Sequence, residues 1–252
     1  MIIRTADYQN APPEFEGVLS PISEQEVEDW KTSLKSAGAR SGLFDLSEED
    51  LPVIGIGKPE TWLLQDFLPS NEIDPALLSK MLSRNDFYVI RLSCSFLPRL
   101  EQIAIEWARY EIFFYQNNDS EFTVYDLIPM SVTQPVTHKT MFKISPKLSF
   151  MQVEADMGSA SHGIEYNEMY PIIYGAGAGE EVASWTFQGY KNAPIQGGKF
   201  MFVLLKTPKG VGPRFANVTM NANIKAYGAL LRAKMAFRDE NMKTSKILKL
   251  MD

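Results

Sequence analysis

The stretch FYVIRLSCSFLP, residues 87–98, decides how the rest of the chain is read. Tyr88, Ile90, Leu92, Cys94 and Phe96 alternate with Val89, Arg91, Ser93 and Ser95. A period of two puts one set on each face of an extended backbone, so the segment is a strand. Pro98, with no N–H to give a ladder, ends it.

Upstream the period is helical. Ser23 and Glu26 have capping-box spacing, Val27, Trp30, Leu34 and Ala37 recur on one side, and Gly38 sits where a left-handed C-terminal cap belongs. Asp74-Pro75 opens a second short helix through Leu77, Leu78 and Met81. Between them LPVIGIGKPETW, residues 51–62, is broken by Pro52, Gly55, Gly57 and Pro59 and reads as irregular. The first 20 residues read as an extended arm. The period changes near Asn85.

Downstream, residues 100–115 fit two templates. Leu100, Ile103, Ala104, Trp107 and Phe114 make a helical stripe. Ile103, Ile105 and Trp107 followed by Tyr110, Ile112 and Phe114 make a strand whose register flips at a bulge, which the aromatic and β-branched content favours. FTVYDLI (122–128) and the twofold run Val136, His138, Thr140, Phe142, Ile144 are further strands. LSFMQVEADM (148–157) and IEYNEMYPIIY (164–174) flank the tip GSASHG (158–163) and read as a loose hairpin. Phe200–Leu205 is a continuous apolar run, the mark of a strand buried on both faces. Val218, Met220, Ala222, Ile224 and Ala226 alternate in one register, and Leu231, Ala233, Met235 and Phe237 in the other, as a bulge at Gly228 would produce.

Strands without strand–helix alternation predict a mainly β fold, an antiparallel β-sandwich or barrel-like core with a small helical N-terminal cap. A helical 100–115 would make it α+β. The expected organisation is an acidic cap over 1–84, a β domain over 85–238 and a basic tail over 239–252. In that tail, Lys residues spaced with Ile247, Leu248 and Leu250 suggest a short amphipathic helix that docks or exchanges between copies.

Composition narrows the class. Apolar residues at 45% and charged residues at 22% are those of a folded chain of 252 residues, not a disordered one. The single Cys94 cannot form a bridge within the chain, no signal peptide is read at the start, and no run of 18 apolar residues occurs. The expected location is cytoplasmic. The net charge of −6 is unevenly spread: 15 acidic and 7 basic residues precede residue 85, whereas 10 basic and 3 acidic residues follow residue 205. Solvated faces of different sign, or opposite ends that dock on each other, explain this better than an anionic partner does, because the basic residues are spread out rather than clustered, and no nucleic-acid signature accompanies them.

Signals for chemistry are sparse. Cys94, His138 and His162 are the only soft or nitrogen ligands and lie far apart, so neither a metal nor another cofactor is expected. Cys94 alternates with large apolar side chains and reads as an inert thiol. PIIYGAGAGEEVASW, residues 171–185, carries glycines as GxGxG rather than GxGxxG, has no Lys-Ser/Thr pair and runs into a strand, so it reads as an interstrand loop rather than a phosphate cradle.

The candidate binding residues are Glu154, Asp156, His162, Glu165 and Tyr166 around the GSASHG tip, with Trp185 and Phe187 nearby. Aromatic platforms bind partners, and aromatics also fill β cores. The expected function is a non-catalytic binding or assembly module contacting a protein partner or its own copies. One alternative is a carboxylate-dependent hydrolase at 154–168. Another is a pore-forming or membrane-active β protein that inserts the 148–173 hairpin, although Glu154 and Asp156 share the parity of Phe150 and spoil a simple lipid-facing strip.

Overall fold

The quoted stretch is the middle of a long strand. A computed structural model describes residues 14–38, 46–67, 75–116, 122–132, 140–145, 148–152, 172–189, 195–237 and 243–251. The described elements begin with β1 (Phe15–Pro21), α1 (Glu24–Ser36), β2 (Val53–Ile56), β3 (Glu60–Leu63), α2 (Leu64–Phe67) and α3 (Pro75–Leu82). Then come β4 (Asn85–Leu97), β5 (Ile103–Tyr115), β6 (Thr123–Ile128), β7 (Ser131–Val132), β8 (Thr140–Ser145) and β9 (Leu148–Gln152). The chain closes with β10 (Ile172–Ala176), β11 (Val182–Gln188), β12 (Gly197–Pro208), β13 (Phe215–Ala226), β14 (Ala229–Phe237) and β15 (Ser245–Lys249).

Thirteen strands form one antiparallel sheet in the order β6-β12-β4-β2-β1-β14-β13-β5-β11-β10-β7, with β3 beside β4 and β15 beside β13. β6 and β7, the two ends of that order, are consecutive in the chain. Val124 N donates to Glu180 O (2.8 Å), Gly179 N to Val124 O (2.7 Å) and Gly175 N to Met130 O (2.8 Å), so the sheet nearly closes on itself as a barrel. The mainly β expectation is therefore correct.

Residues 103–115 are a strand with the expected register flip, but it falls before Trp107 rather than after it, so Trp107 is half-buried on the outer parity and not inward with Ile103 and Ile105. Asn223 faces Trp107 while the next residue, Ile224, faces Ile105, so one extra residue lies on β5. Beyond it, Ala108, Tyr110, Ile112 and Phe114 point inward. β12 explains its unbroken apolar run: Met201, Val203 and Leu205 enter the main core, while Phe202 and Leu204 face a second cluster with Leu64, Phe67, Phe87 and Val89. The helices α2 and α3 cover that outer face of β4 and β12.

Helix α1 starts at Ser23, whose hydroxyl accepts from Glu26 N, and Gly38 takes φ +75 just beyond its end. Trp30 and Leu34 are buried in the main core. Trp30 Nε1 donates to Ala226 O (3.1 Å), and Arg232 on β14 pairs with Glu26.

Three readings need correction. Residues 53–56 are not irregular but form β2, wholly buried between β1 and β4, because backbone partners on both sides outweigh the weak strand preference of Gly55. The tail is a strand, not a helix: Ser245–Lys249 pairs with Thr219–Phe215, and Lys246 lies 4.3 Å from the centre of the Phe15 ring. β1, β2 and β15 belong to the same sheet as the strands between residues 85 and 238. The parity change at Gly228 is a two-residue hairpin turn and not a bulge, with Ala226 opposite Ala229 and positive φ at Tyr227 (50°) and Gly228 (91°). Residues 148–152 form β9, which pairs with β8 (Thr140↔Gln152), and the remainder of the loose hairpin read over 148–174 lies, up to residue 171, outside the described residues.

Candidate functional site

Of the candidate binding residues, Glu154, Asp156, His162, Glu165 and Tyr166 lie outside the described residues, as does the hydrolase site read at 154–168. Trp185 and Phe187 belong to the interior and form no surface platform. Both are fully buried, Trp185 edge-on to Tyr110 at 6.2 Å and Phe187 edge-on to Phe96 at 5.3 Å. Their parity on β11 places them inward with Ala183, leaving Val182, Ser184 and Thr186 for the outer face.

Cys94 is buried on β4, and loss of solvation pushes its thiol up to about 12, with Lys199 opposing. Burial likewise raises the Tyr110 phenol far above its usual range. Neither group is a nucleophile at neutral pH.

The glycine-rich turn is used by the fold. Gly179 N bonds Val124 O and Glu180 N bonds Gly177 O, so these two amides already have protein acceptors. Gly177 (φ +119) cannot carry a Cβ, which would lie 2.0 Å from Val182 O. With Glu180 and Glu181 exposed beside it, the turn repels anions rather than cradling phosphate.

A cleft of about 820 Å³ opens where this turn meets the start of β6 and the outer face of β5 and β11. Arg109 and Glu111, an ion pair at 3.0 Å, line it together with Ser184, which lies opposite Glu111, and with the exposed Glu180 and Glu181. Sequence reasoning missed Arg109, Glu111 and Ser184. The signal that finds them is the parity of β5 after its bulge, which turns 109, 111 and 113 outward together.

The second feature is the root of the segment 133–171. β7 and β10 are antiparallel neighbours at one end of the sheet order, with Ser131 opposite Tyr174 and Val132 opposite Ile173. β7 ends at Val132 and β10 begins at Ile172, so this pair of strands brackets the segment 133–171. No described helix is long and apolar enough to cross a membrane.

No family model matches the chain, and no curated protein matches it. Among solved structures, the chain is similar to the Clostridium perfringens NetB toxin in its membrane-inserted form, at 11% identity over 79% of this chain and 88% of that one, TM-score 0.29. It is also similar to Clostridium perfringens delta-toxin, at 7% identity over 81% and 90%, TM-score 0.32. Overlaps this weak carry no functional weight, so the functional reading rests on the chain's own geometry.

Proposed function

We propose that this chain is a self-assembling, membrane-active β protein whose residues 133–171 insert as a two-stranded hairpin. The observation that carries the reading is the register at the hairpin's root. Continuing the β7–β10 ladder from Val132↔Ile173 pairs Thr140 with Glu165, Phe142 with Gly163, Phe150 with Ala155, and closes at Gln152-Val153.

That register sorts the side chains. One face holds Val136, Phe142, Ile144, Leu148 and Phe150 with Val153, Ala155 and Met157, and a single charge, Glu165. The other holds Lys139, Lys143 and Lys147 with Glu154, Asp156 and Glu168. The tip at 152–153 inverts the parity of the return strand, so Glu154 and Asp156 fall opposite the face of Phe150. The objection raised by counting along a single strand is thereby removed. Each strand has about 20 residues, against the roughly 9–11 that cross a bilayer. Pro146, which lacks a ladder N–H, marks an interruption opposite Ser159.

A lone hairpin leaves two unpaired edges in hydrocarbon, which is prohibitive, so several copies must contribute strands to one closed barrel. Self-assembly follows from that requirement. The β8–β9 pairing, Thr140 with Gln152, uses the same residues in a different register, so the two arrangements exclude each other.

A Thr140→Cys/Gln152→Cys variant tests this by locking the β8–β9 pairing. Dye-loaded phosphatidylcholine/phosphatidylglycerol vesicles should leak with wild type and with the reduced variant, and stay intact with the oxidised one. Leakage by the oxidised variant, or none by wild type, refutes the reading.

A further inference from the structure

The two broad outer faces of the sheet differ. The face of β4 and β12 is covered by α2 and α3, with Phe202, Leu204, Phe87 and Val89 buried beneath them. The face of β15, β13, β5 and β11 carries exposed apolar side chains. Ile247 is 58% exposed, Phe113 37% and Val182 39%, and the register sets them in one row, Ile247–Asn217–Phe113–Val182. The row beside it is Lys249–Phe215–Tyr115, with the Phe113 and Tyr115 rings stacked at 6.0 Å and Tyr115 and Phe215 at 5.7 Å.

Charge runs across these rows. Exposed Lys249 lies on β15 and exposed Arg214 just ahead of β13, while exposed Glu180 and Glu181 lie at the β11 side, just ahead of Val182. Extending the β5–β11 register puts Glu180 level with Tyr115, and so in the same row as Lys249.

We propose that this face is a two-fold interface with a second copy of the chain. A two-fold axis parallel to the strands, lying between β13 and β5 in the plane of contact, turns the β15 edge of one copy onto the β11 edge of the other. Lys249 then meets Glu180, with Arg214 and Glu181 at the same end of the contact, Ile247 meets Val182, and Phe215 meets Tyr115, each contact occurring twice. An isologous interface needs a surface complementary to itself, and a face that is basic at one edge, acidic at the other and aromatic between meets that need. Sheets stack this way with strands nearly aligned and side chains interdigitating.

Charge reversal at each edge tests it. Arg214→Glu/Lys249→Glu makes both edges acidic, and Glu180→Lys/Glu181→Lys makes both basic, so each variant repels its own copies while the two complement each other. Light scattering on size-exclusion chromatography should give a dimer mass for wild type at about 100 μM, a monomer for either variant, and a dimer again for their equimolar mixture. Self-association of each variant should weaken about 100-fold. Far-UV circular dichroism confirms that both variants are folded. A monomeric wild type, a variant that dimerises alone, or a mixture that stays monomeric overturns the proposal. Vesicle leakage is measured on the same variants, so failure of the interface and failure of the hairpin give separate readouts.

Discussion

Replacing Trp30 gives a sharp test of how α1 is held. The indole is 1% exposed beneath the helix, and its Nε1–H donates to the carbonyl of Ala226, the last residue of β13 before the Tyr227-Gly228 turn. Trp30→Phe keeps most of the burial but leaves that shielded carbonyl without its donor, a loss of about 1–2 kcal/mol. Trp30→Ala adds a cavity between α1 and the sheet and should cost about 3–5 kcal/mol in total. For a chain of this size each kcal/mol moves the melting temperature by about 2–4 °C, so the alanine variant should melt roughly 6–20 °C lower. Urea titration followed by far-UV circular dichroism measures both variants without relying on the altered fluorescence. Hydrogen exchange over Glu24–Ser36 should rise first, since α1 touches the body mainly through β14 and β1. An alanine variant within about 1 kcal/mol of wild type would refute the buried position and the role of α1 as a fixed part of the core.

Two further outcomes follow from the charged and nucleophilic groups. Partial burial acts to raise the pKa of Asp86, but its hydrogen bonds from Lys209 Nζ (2.6 Å) and Gly210 N (2.7 Å) prevail and hold it below the usual carboxylate value. A depressed folded pKa contributes stability above the unfolded value of about 3.9, and that stability is lost as pH falls through the folded one. Asp86→Asn should therefore be less stable than wild type at pH 7, with the difference shrinking below about pH 4 in parallel urea titrations; a pH-independent difference contradicts the assignment. Cys94, pushed up to about 12 by burial, should resist a thiol-specific disulfide reagent at pH 8 and react fully in urea. Rapid labelling of the folded chain would place that side chain outside the core.

How much of this was legible in the sequence varies by element. Alternation in 88–96, 103–114 and 218–226 fixed strand type and inward face, because side-chain direction along a strand is a local property with a period of two. The β5 bulge was legible for the same reason: inserting one residue swaps parity, and the swap is visible between Ile105 and Tyr110, although the sequence pattern placed Trp107 on the wrong side of it. The helix starts at Ser23 and Pro75 were equally local, resting on a side-chain cap and a missing N–H.

Partner choice was not local. Val53–Ile56 and Ser245–Lys249 are strands because β1, β4 and β13 offer them backbone partners from distant parts of the chain, which no pattern within five residues can reveal. The outer-face cluster of Phe113, Val182, Phe215 and Ile247 draws on four strands, so only the register assembles it. The 133–171 segment draws the same line. Its alternation was visible in the sequence, but which residues share a face depends on where the hairpin turns. In the proposed hairpin that is set by the Val132↔Ile173 pair, a contact between distant parts of the chain that no local pattern contains.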